Sequence, residues 1–249
     1  MMRRPWNDAR TALQFLTRVP VGALQYDADA LSRAVVWFPL VGGLVGASAV
    51  GVHWLAAKVV SAQIAALATL IFLVTVTGAF HEDGLADTAD GLGGGWTREQ
   101  SLEIMRDSRI GTYGAAALVL SLLARWLLLG SLPAPMFAGY VLAAHVLCRW
   151  TTLPLSCFLP SARTDGGQGV RVAARTSRSA LVAGTLIAFS LTALLLRWHA
   201  VIPLLAAIIV AALSGMYFQR RLGGVTGDCF GAANQITEIV IYLCGVIAW

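Results

Sequence analysis

The chain has 249 residues, and its composition is that of an integral membrane protein. Hydrophobic residues make up 57% of it, charged residues make up only 12%, and the mean hydropathy is +0.72. This balance argues against a soluble domain. The net charge of +5 would suit a nucleic-acid partner, but membrane topology explains it better, so no nucleic-acid partner is expected.

The first 33 residues predict a cytoplasmic amphipathic segment. Arg10, Gln14 and Arg18 recur every four residues, so on a helix they share one face, and apolar residues favour the opposite side. This pattern is typical of a helix that lies on the inner surface of a membrane. An ordinary basic lead-in to the first membrane span is the alternative.

Seven stretches of the chain are apolar over about 18 residues or more, which is long enough for a transmembrane helix. They cover approximately residues 34–57, 62–80, 113–132, 136–159, 180–197, 200–218 and 231–248. No polar linker or internal repeat divides the chain, so residues 1–249 are expected to form one integral-membrane domain. The sequence therefore predicts an all-α, polytopic membrane helix bundle of about seven transmembrane helices.

An acidic segment, residues 81–112, lies between the second and third apolar stretches. On a helix, Asp83, Asp87 and Asp90 would point the same way within about 60°, whereas Glu82 would point about 100° away and is left out of the site. Three carboxylates on one face repel one another unless a cation lies between them, and Mg²⁺ is the hard ion that suits such oxygens. We therefore interpret this segment as catalytic. An acidic, solvated helix end is the alternative.

Two further groups of polar residues invite a functional interpretation. Asp107 and Arg109 stand at the entrance to the third apolar stretch, close to the acidic segment. Glycines and a threonine surround Asp228, in a turn that could bring its carboxylate and backbone amides to a ligand. The loop at residues 160–169 is either a flexible connector or a mobile cover over the acidic site.

Charged residues inside the apolar stretches need partners, because an unpaired charge there costs a few kcal/mol. Glu238 is such a residue, and Arg125 or Arg149 could pair with it. A structural ion pair and a catalytic role both remain open for Glu238. His145 and Arg149 lie one helical turn apart, as residues lining a polar cleft would.

Lys and Arg residues outside the apolar stretches fall almost entirely on one side of the membrane if the N-terminus is cytoplasmic. Only Lys58 and Arg197 lie near the other side. The fourteen on the first side are Arg3, Arg4, Arg10, Arg18, Arg33, Arg98, Arg106, Arg109, Arg163, Arg171, Arg175, Arg178, Arg220 and Arg221. The positive-inside rule predicts this asymmetry. We therefore expect a multi-pass protein of the cell (inner) membrane whose active site faces the cytoplasm.

Several motifs, spread in order over nearly the whole chain, resemble those of the adenosylcobinamide-GDP ribazoletransferase (cobalamin synthase) family. They are Phe15–Pro20, Phe38–Gly42, His81–Gly91 with its D-G-L-A-D-T-x-D-G core, Ile104–Gly114, Arg149 and Gly224–Asp228. The two central motifs, His81–Gly91 and Ile104–Gly114, are long and the most specific. Glu82 lies outside the family pattern.

The resemblance implies a Mg²⁺-dependent joining step of cobalamin nucleotide-loop assembly. A hydroxyl of α-ribazole, or of its 5′-phosphate, attacks adenosylcobinamide-GDP and GMP is released. The metal ligands assigned on this basis are Asp83, Asp87, Asp90 and Asp228. The substrate-binding residues are Arg106, Arg149, Arg163, Gly224, Thr226 and Gly227, and the catalytic residues are Asp107 and Arg109. Asp107 would orient or deprotonate the attacking hydroxyl. The sequence is also compatible with a homo-oligomer.

Two other classes of protein would use similar residues. A CDP-alcohol phosphotransferase of lipid synthesis also holds Mg²⁺ with aspartates, but its D-x-x-D-G-x-x-A-R spacing is absent, since no Arg follows Asp90 and Gly91. A cation-coupled transporter would need ionisable residues near the membrane midplane with access from both sides. The acidic segment is instead expected at one membrane face.

Overall fold

The structure is a computed structural model that describes residues 5–22, 29–163 and 176–248. Apart from one isolated bridge between Ser161 and Val225, the regular structure of these residues is helical. The predicted cover loop lies outside the described residues from residue 164 onward. So do four cations of the predicted cytoplasmic side, Arg3, Arg4, Arg171 and Arg175.

The described helices, in chain order, have the following bounds. They are α1 (Pro5–Leu16), α2 (Ala30–Ala34), α3 (Phe38–Ala56), α4 (Ala62–Thr77), α5 (Phe80–Gly94), α6 (Arg98–Ile104), α7 (Thr112–Ser131), α8 (Ala134–Trp150), α9 (Thr152–Phe158), α10 (Arg178–Leu196), α11 (Val201–Leu222) and α12 (Gly227–Ile247). Short 3₁₀ turns precede α3 at Val35–Trp37 and α11 at Arg197–Ala200.

The long apolar helices confirm a polytopic membrane bundle. By length and hydropathy, five of the described helical stretches can cross a membrane, and α4 with α5 makes a sixth if that bent pair is one span. One of the five, Arg178–Leu222, has 45 residues. A straight helix of that length would measure about 68 Å, over twice the roughly 30 Å of a bilayer core.

The chain reverses within this stretch, at the turn that begins with Arg197, whose φ of 53° interrupts the helix. Gly184 near the start of α10 packs on Leu153, and Gly215 near the end of α11 packs on Leu155. Both partners belong to the short helix α9, so α10 and α11 run in opposite directions. With these two helices counted separately, the helices match the positions of the seven predicted apolar stretches.

Among the boundaries that differ from the prediction, three have a visible physical cause or mark a break in a helix. The second stretch ends at Thr77 because Gly78, with φ 67°, closes the helix, and α5 then leaves at 85° to α4. The fourth stretch is divided at Thr151 into α8 and α9. The seventh begins at Gly227, four residues earlier than expected, because the Thr226 hydroxyl caps the first turn.

The polar connections gather at one end of the bundle, which we call the polar end: α6 and residues 95–97, 105–111, 159–163 and 223–226. Arg98 donates hydrogen bonds to the backbone oxygens of Leu222 (2.6 Å) and Ala162 (2.9 Å). Arg221 donates to those of Leu92 (3.0 Å) and Gly95 (2.9 Å). These arginines satisfy carbonyl groups at the C-terminal ends of α11 and α5, where cations are favoured.

The amphipathic helix α1 is present and packs at the same end. Ala12 and Leu16 are buried, whereas Trp6 remains exposed. Phe15 stacks on Phe38 of α3 and meets the edge of Phe80 at the start of α5. The first residues of α5 are thereby held between α1 and the bundle.

Glycines bring α5 against α12. A Cβ atom on Gly84 would lie 2.9 Å from the backbone oxygen of Asp228 and 3.2 Å from Cα of Gly231. Side chains at these positions would force the helices apart, so the close approach depends on their absence. With 15 residues and several carboxylates, α5 is by itself too short and too polar to cross a membrane.

Candidate active site

Three of the predicted metal ligands come together where α5 meets α12. The segment from Phe80 to Gly94 is one helix, so Asp83 and Asp87 stand one turn apart, with Asp83 exposed and Asp87 half-buried. The contact at Gly84 places the first turn of α12, which carries Asp228, alongside them. We call Asp83, Asp87 and Asp228 the aspartate cluster.

The aspartate cluster carries an excess of negative charge. The pKa of Asp87 is raised to about 7, chiefly by burial. The carboxylates of Asp83 and Asp228 and, more weakly, that of Asp90 add to this rise, whereas Arg163 opposes it. A carboxyl group with such neighbours resists ionisation unless a cation compensates the charge. The donor set, which consists of carboxylate oxygens only, suits Mg²⁺.

Arg163 lies at the aspartate cluster, as a substrate-binding residue should. Its Nη2 atom is 3.2 Å from Oδ2 of Asp228, and the same atom donates a 3.2 Å hydrogen bond to the backbone oxygen of Met105. Its Nε atom is buried and has no hydrogen-bond partner among the described residues. One guanidinium thus joins α12 to the segment that follows α6 and still has a free donor.

Asp90, predicted as a third ligand from the same helix face, has a different position. Its two carboxylate oxygens accept hydrogen bonds from the backbone amides of Gly111 (2.7 Å) and Gly114 (2.8 Å). These amides begin α7 and have no partner within that helix, so Asp90 acts as its cap and complements its dipole. A Cβ atom on either glycine would collide with Asp90. The role visible for Asp90 is therefore structural.

The predicted substrate-binding turn at residues 224–227 also has structural contacts. Gly224 lies so close to the backbone of Pro160 that a Cβ atom there would overlap its oxygen. The Thr226 hydroxyl accepts a hydrogen bond from the amide of Cys229 and donates one to Oδ2 of Asp228, 3.2 Å away. Thr226 thus orients Asp228, and Gly227 is the first residue of α12.

The two predicted catalytic residues pair with each other at the surface. Arg109 donates to both carboxylate oxygens of Asp107, with Nη2 lying 2.6 Å from Oδ2 and Nε lying 3.0 Å from Oδ1. These hydrogen bonds lower the pKa of Asp107 to about 2. Such a weakly basic carboxylate is a poor general base near neutral pH. Arg106 is exposed at the same end of the bundle.

A cavity of about 280 Å³ opens between α4, α5 and α7 beside the aspartate cluster. Asp83 and Asp87 line it. Glu82 also lines it, although its position on the helix had excluded it from the predicted site. Ser108 and Ile110 form part of its rim, next to the Asp107–Arg109 pair. Several apolar side chains of α4 and α7 complete the walls.

Beneath this cavity lies a buried charged network that the sequence revealed only in part. Arg125 of α7 donates from Nη1 to Glu82 (2.6 Å) and from Nε to Glu238 of α12 (3.0 Å). Gln235 and Tyr242 add hydrogen bonds to the two glutamates. The expected pairing of Glu238 with Arg125 is confirmed, whereas the participation of Glu82 was missed. The sequence did contain a sign of this contact, because Arg125 lies inside an apolar stretch and therefore needs carboxylate partners.

Arg149, a predicted substrate-binding residue, contacts neighbours on its own helix. It is buried in α8, where its Nη1 atom lies 2.6 Å from Nδ1 of His145 and donates to the sulfur of Cys148. In the described part of the chain, His145, Cys148 and Glu238 form the one set of three potential metal ligands with atoms within 4.8 Å of one another. Arginine donors already occupy these atoms, so a metal cation is disfavoured there. The oxygens of the aspartate cluster are not gathered this closely.

The fold and the site define a polytopic membrane protein with a carboxylate and arginine centre at one end of its helix bundle. Comparison with known proteins names the family. The family model described as CobS: Cobalamin-5-phosphate synthase matches residues 8–246, and the chain belongs to this family.

Relatives cover nearly the whole chain. A protein of Ralstonia pickettii (strain 12J) is 43% identical over 260 residues, which span 100% of this chain and 98% of the relative. A protein of Bradyrhizobium diazoefficiens is 41% identical over 95% of this chain and 92% of the relative. A protein of Vibrio cholerae is 40% identical over 93% of this chain and 90% of the relative. All three are named adenosylcobinamide-GDP ribazoletransferase. No solved structure matches the chain.

Proposed function

We propose that the protein joins adenosylcobinamide-GDP to α-ribazole, or to α-ribazole 5′-phosphate, and releases GMP. The observation that carries the proposal is the aspartate cluster with Arg163, in a chain that belongs to this family over residues 8–246. Cleaving a pyrophosphate requires positive groups that neutralise the negative charge on the transferring and leaving oxygens. Carboxylates that hold a cation, with arginines beside them, provide that charge.

Asp83, Asp87 and Asp228 would hold Mg²⁺. The bound ion would neutralise charge on the phosphate oxygens and help to align donor and acceptor. Asp90 would keep the last turns of α5 in place through the N-terminus of α7, and Thr226 would orient Asp228.

Arginines at the polar end would bind the phosphates of the donor. Arg163 has a buried Nε donor without a partner, and Arg109 presents an exposed guanidinium that is positioned by Asp107. Since its pKa is about 2, Asp107 would orient Arg109 and would not take the proton of the attacking hydroxyl. Arg106 is the further candidate for phosphate contact at this end.

The positive-inside asymmetry supports a cytoplasmic polar end in the inner membrane. The arginines that clamp this end, Arg98 and Arg221, both belong to the basic side of the chain. Nucleotide-activated substrates are cytoplasmic, which agrees with this orientation.

The two rival classes are less well supported. The chain lacks the spacing of the CDP-alcohol phosphotransferases and matches another family over nearly its full length. A transporter would require an ion path through the bundle. The buried ionisable residues Glu82, Arg125 and Glu238 instead form ion pairs with one another.

The test is the reaction with purified protein. With Mg²⁺, adenosylcobinamide-GDP and α-ribazole, it should form GMP and adenosylcobalamin in equal amounts, and EDTA should stop turnover. CDP-diacylglycerol in place of the cobinamide donor should yield no CMP. Release of CMP without a corrinoid product would instead assign the chain to phospholipid synthesis.

A further inference from the structure

The cavity between α4, α5 and α7 has two chemically different sides. Val74 of α4 and Leu118 and Leu122 of α7 form apolar walls, whereas Glu82 and Asp83 of α5 bring carboxylates. An apolar cavity with a few polar groups at one side is typical of a site for a small organic molecule. Its volume of about 280 Å³ is small compared with a corrinoid.

Glu82 lines this cavity and carries a buried acceptor at its edge. The residue is 4% exposed, and its Oε1 atom accepts hydrogen bonds from Arg125 (2.6 Å) and Gln235 (3.3 Å). Its Oε2 atom is buried and has no hydrogen-bond partner among the described residues. A buried carboxylate oxygen without a hydrogen-bond donor has lost its hydration without compensation, which is unfavourable. The atom is covered in the free protein, so a ligand hydroxyl in the cavity would reach it through a small shift of the Glu82 side chain and would then compensate for that loss.

We infer that this cavity binds the acceptor, with the aromatic base of α-ribazole between the apolar walls and a ribose hydroxyl donating to Oε2 of Glu82. This inference rests on the proposed function. The base of α-ribazole is an apolar dimethylbenzimidazole, and its sugar offers hydroxyl donors, so each part matches one side of the cavity. The sugar would then lie beside Asp83 and Asp87.

The donor fits the cavity poorly. Adenosylcobinamide-GDP is larger than 280 Å³ and carries a negatively charged pyrophosphate, which the carboxylates would repel unless a metal lies between. The arginine side of the aspartate cluster, at Arg163, suits the pyrophosphate instead. Donor and acceptor would therefore approach the aspartate cluster from different sides.

The decisive variant is Leu118→Trp, which reduces the volume of the cavity without replacing a charged residue. Binding of radiolabelled α-ribazole to the purified protein, measured by equilibrium dialysis without donor, should weaken about tenfold or more. In steady-state assays, the KM for α-ribazole should rise while the KM for adenosylcobinamide-GDP stays within about twofold of the wild-type value. Leu120→Trp is the control, because Leu120 lies on the same helix with 66% of its surface exposed and does not line the cavity.

Glu82→Gln tests the polar side. The uncharged amide should raise the KM for α-ribazole more than it lowers kcat, because the change affects acceptor binding. Since this variant also weakens the contact with Arg125, Leu118→Trp carries the conclusion. Unchanged α-ribazole binding by Leu118→Trp, in a protein that still releases GMP, would refute the acceptor site and leave the proposed function intact. A wild-type protein that neither binds α-ribazole nor releases GMP would refute both.

Discussion

Replacing Arg125 with methionine should destabilise the protein severely. Arg125 is 1% exposed and is the cation that contacts both Glu82 and Glu238. Its loss leaves two buried carboxylates without that counter-charge, and breaking a buried ion pair in this way costs about 3–5 kcal/mol. For a chain of this length, the midpoint of thermal unfolding should fall by roughly 6–20 °C.

Thermal unfolding of the purified variant, followed by tryptophan fluorescence in one detergent, measures this effect. Arg109→Met is the matched control, since Arg109 pairs with Asp107 at the surface and should shift the midpoint little. Adding Glu82→Gln and Glu238→Gln to Arg125→Met removes the stranded charges and should restore much of the stability. A midpoint for Arg125→Met equal to that of Arg109→Met would refute the counter-charge argument.

Three further predictions concern the site and the topology. Asp83→Asn and Asp87→Asn should each lower Mg²⁺-dependent turnover about 100-fold, whereas the exposed Glu99→Gln control should not. Gly84→Ala should lower activity because the added methyl group would push α5 away from α12. Gly51→Ala is its control, since an added Cβ there meets nothing within 4 Å. This control should leave activity unchanged and raise helix stability by up to about 1 kcal/mol. Reporter fusions after residues 94 and 224 should give cytoplasmic signals, and a fusion after residue 249 should give an external signal. A cytoplasmic signal from the fusion after residue 249 would contradict the seven predicted spans.

Local sequence patterns were sufficient to predict the helical architecture. Apolar stretches of membrane length predict the bundle because each spanning helix must satisfy its own backbone hydrogen bonds. The spacing of Asp83 and Asp87 predicts their shared helix face, and both residues do lie on one helix, α5. These inferences hold because they depend on residues no more than a few positions apart.

The partners of the polar side chains were decided only by the tertiary structure. Asp90 binds amides 21 and 24 positions away, and Glu82 meets Arg125 across 43 positions. The periodicity of α5 places Glu82 off the face of Asp83 and Asp87, yet all three line one cavity because α4 and α7 enclose that side of the helix. Helix crossing geometry, here permitted by Gly84 and Gly231, determines which faces meet, and no spacing rule along a single helix contains that information.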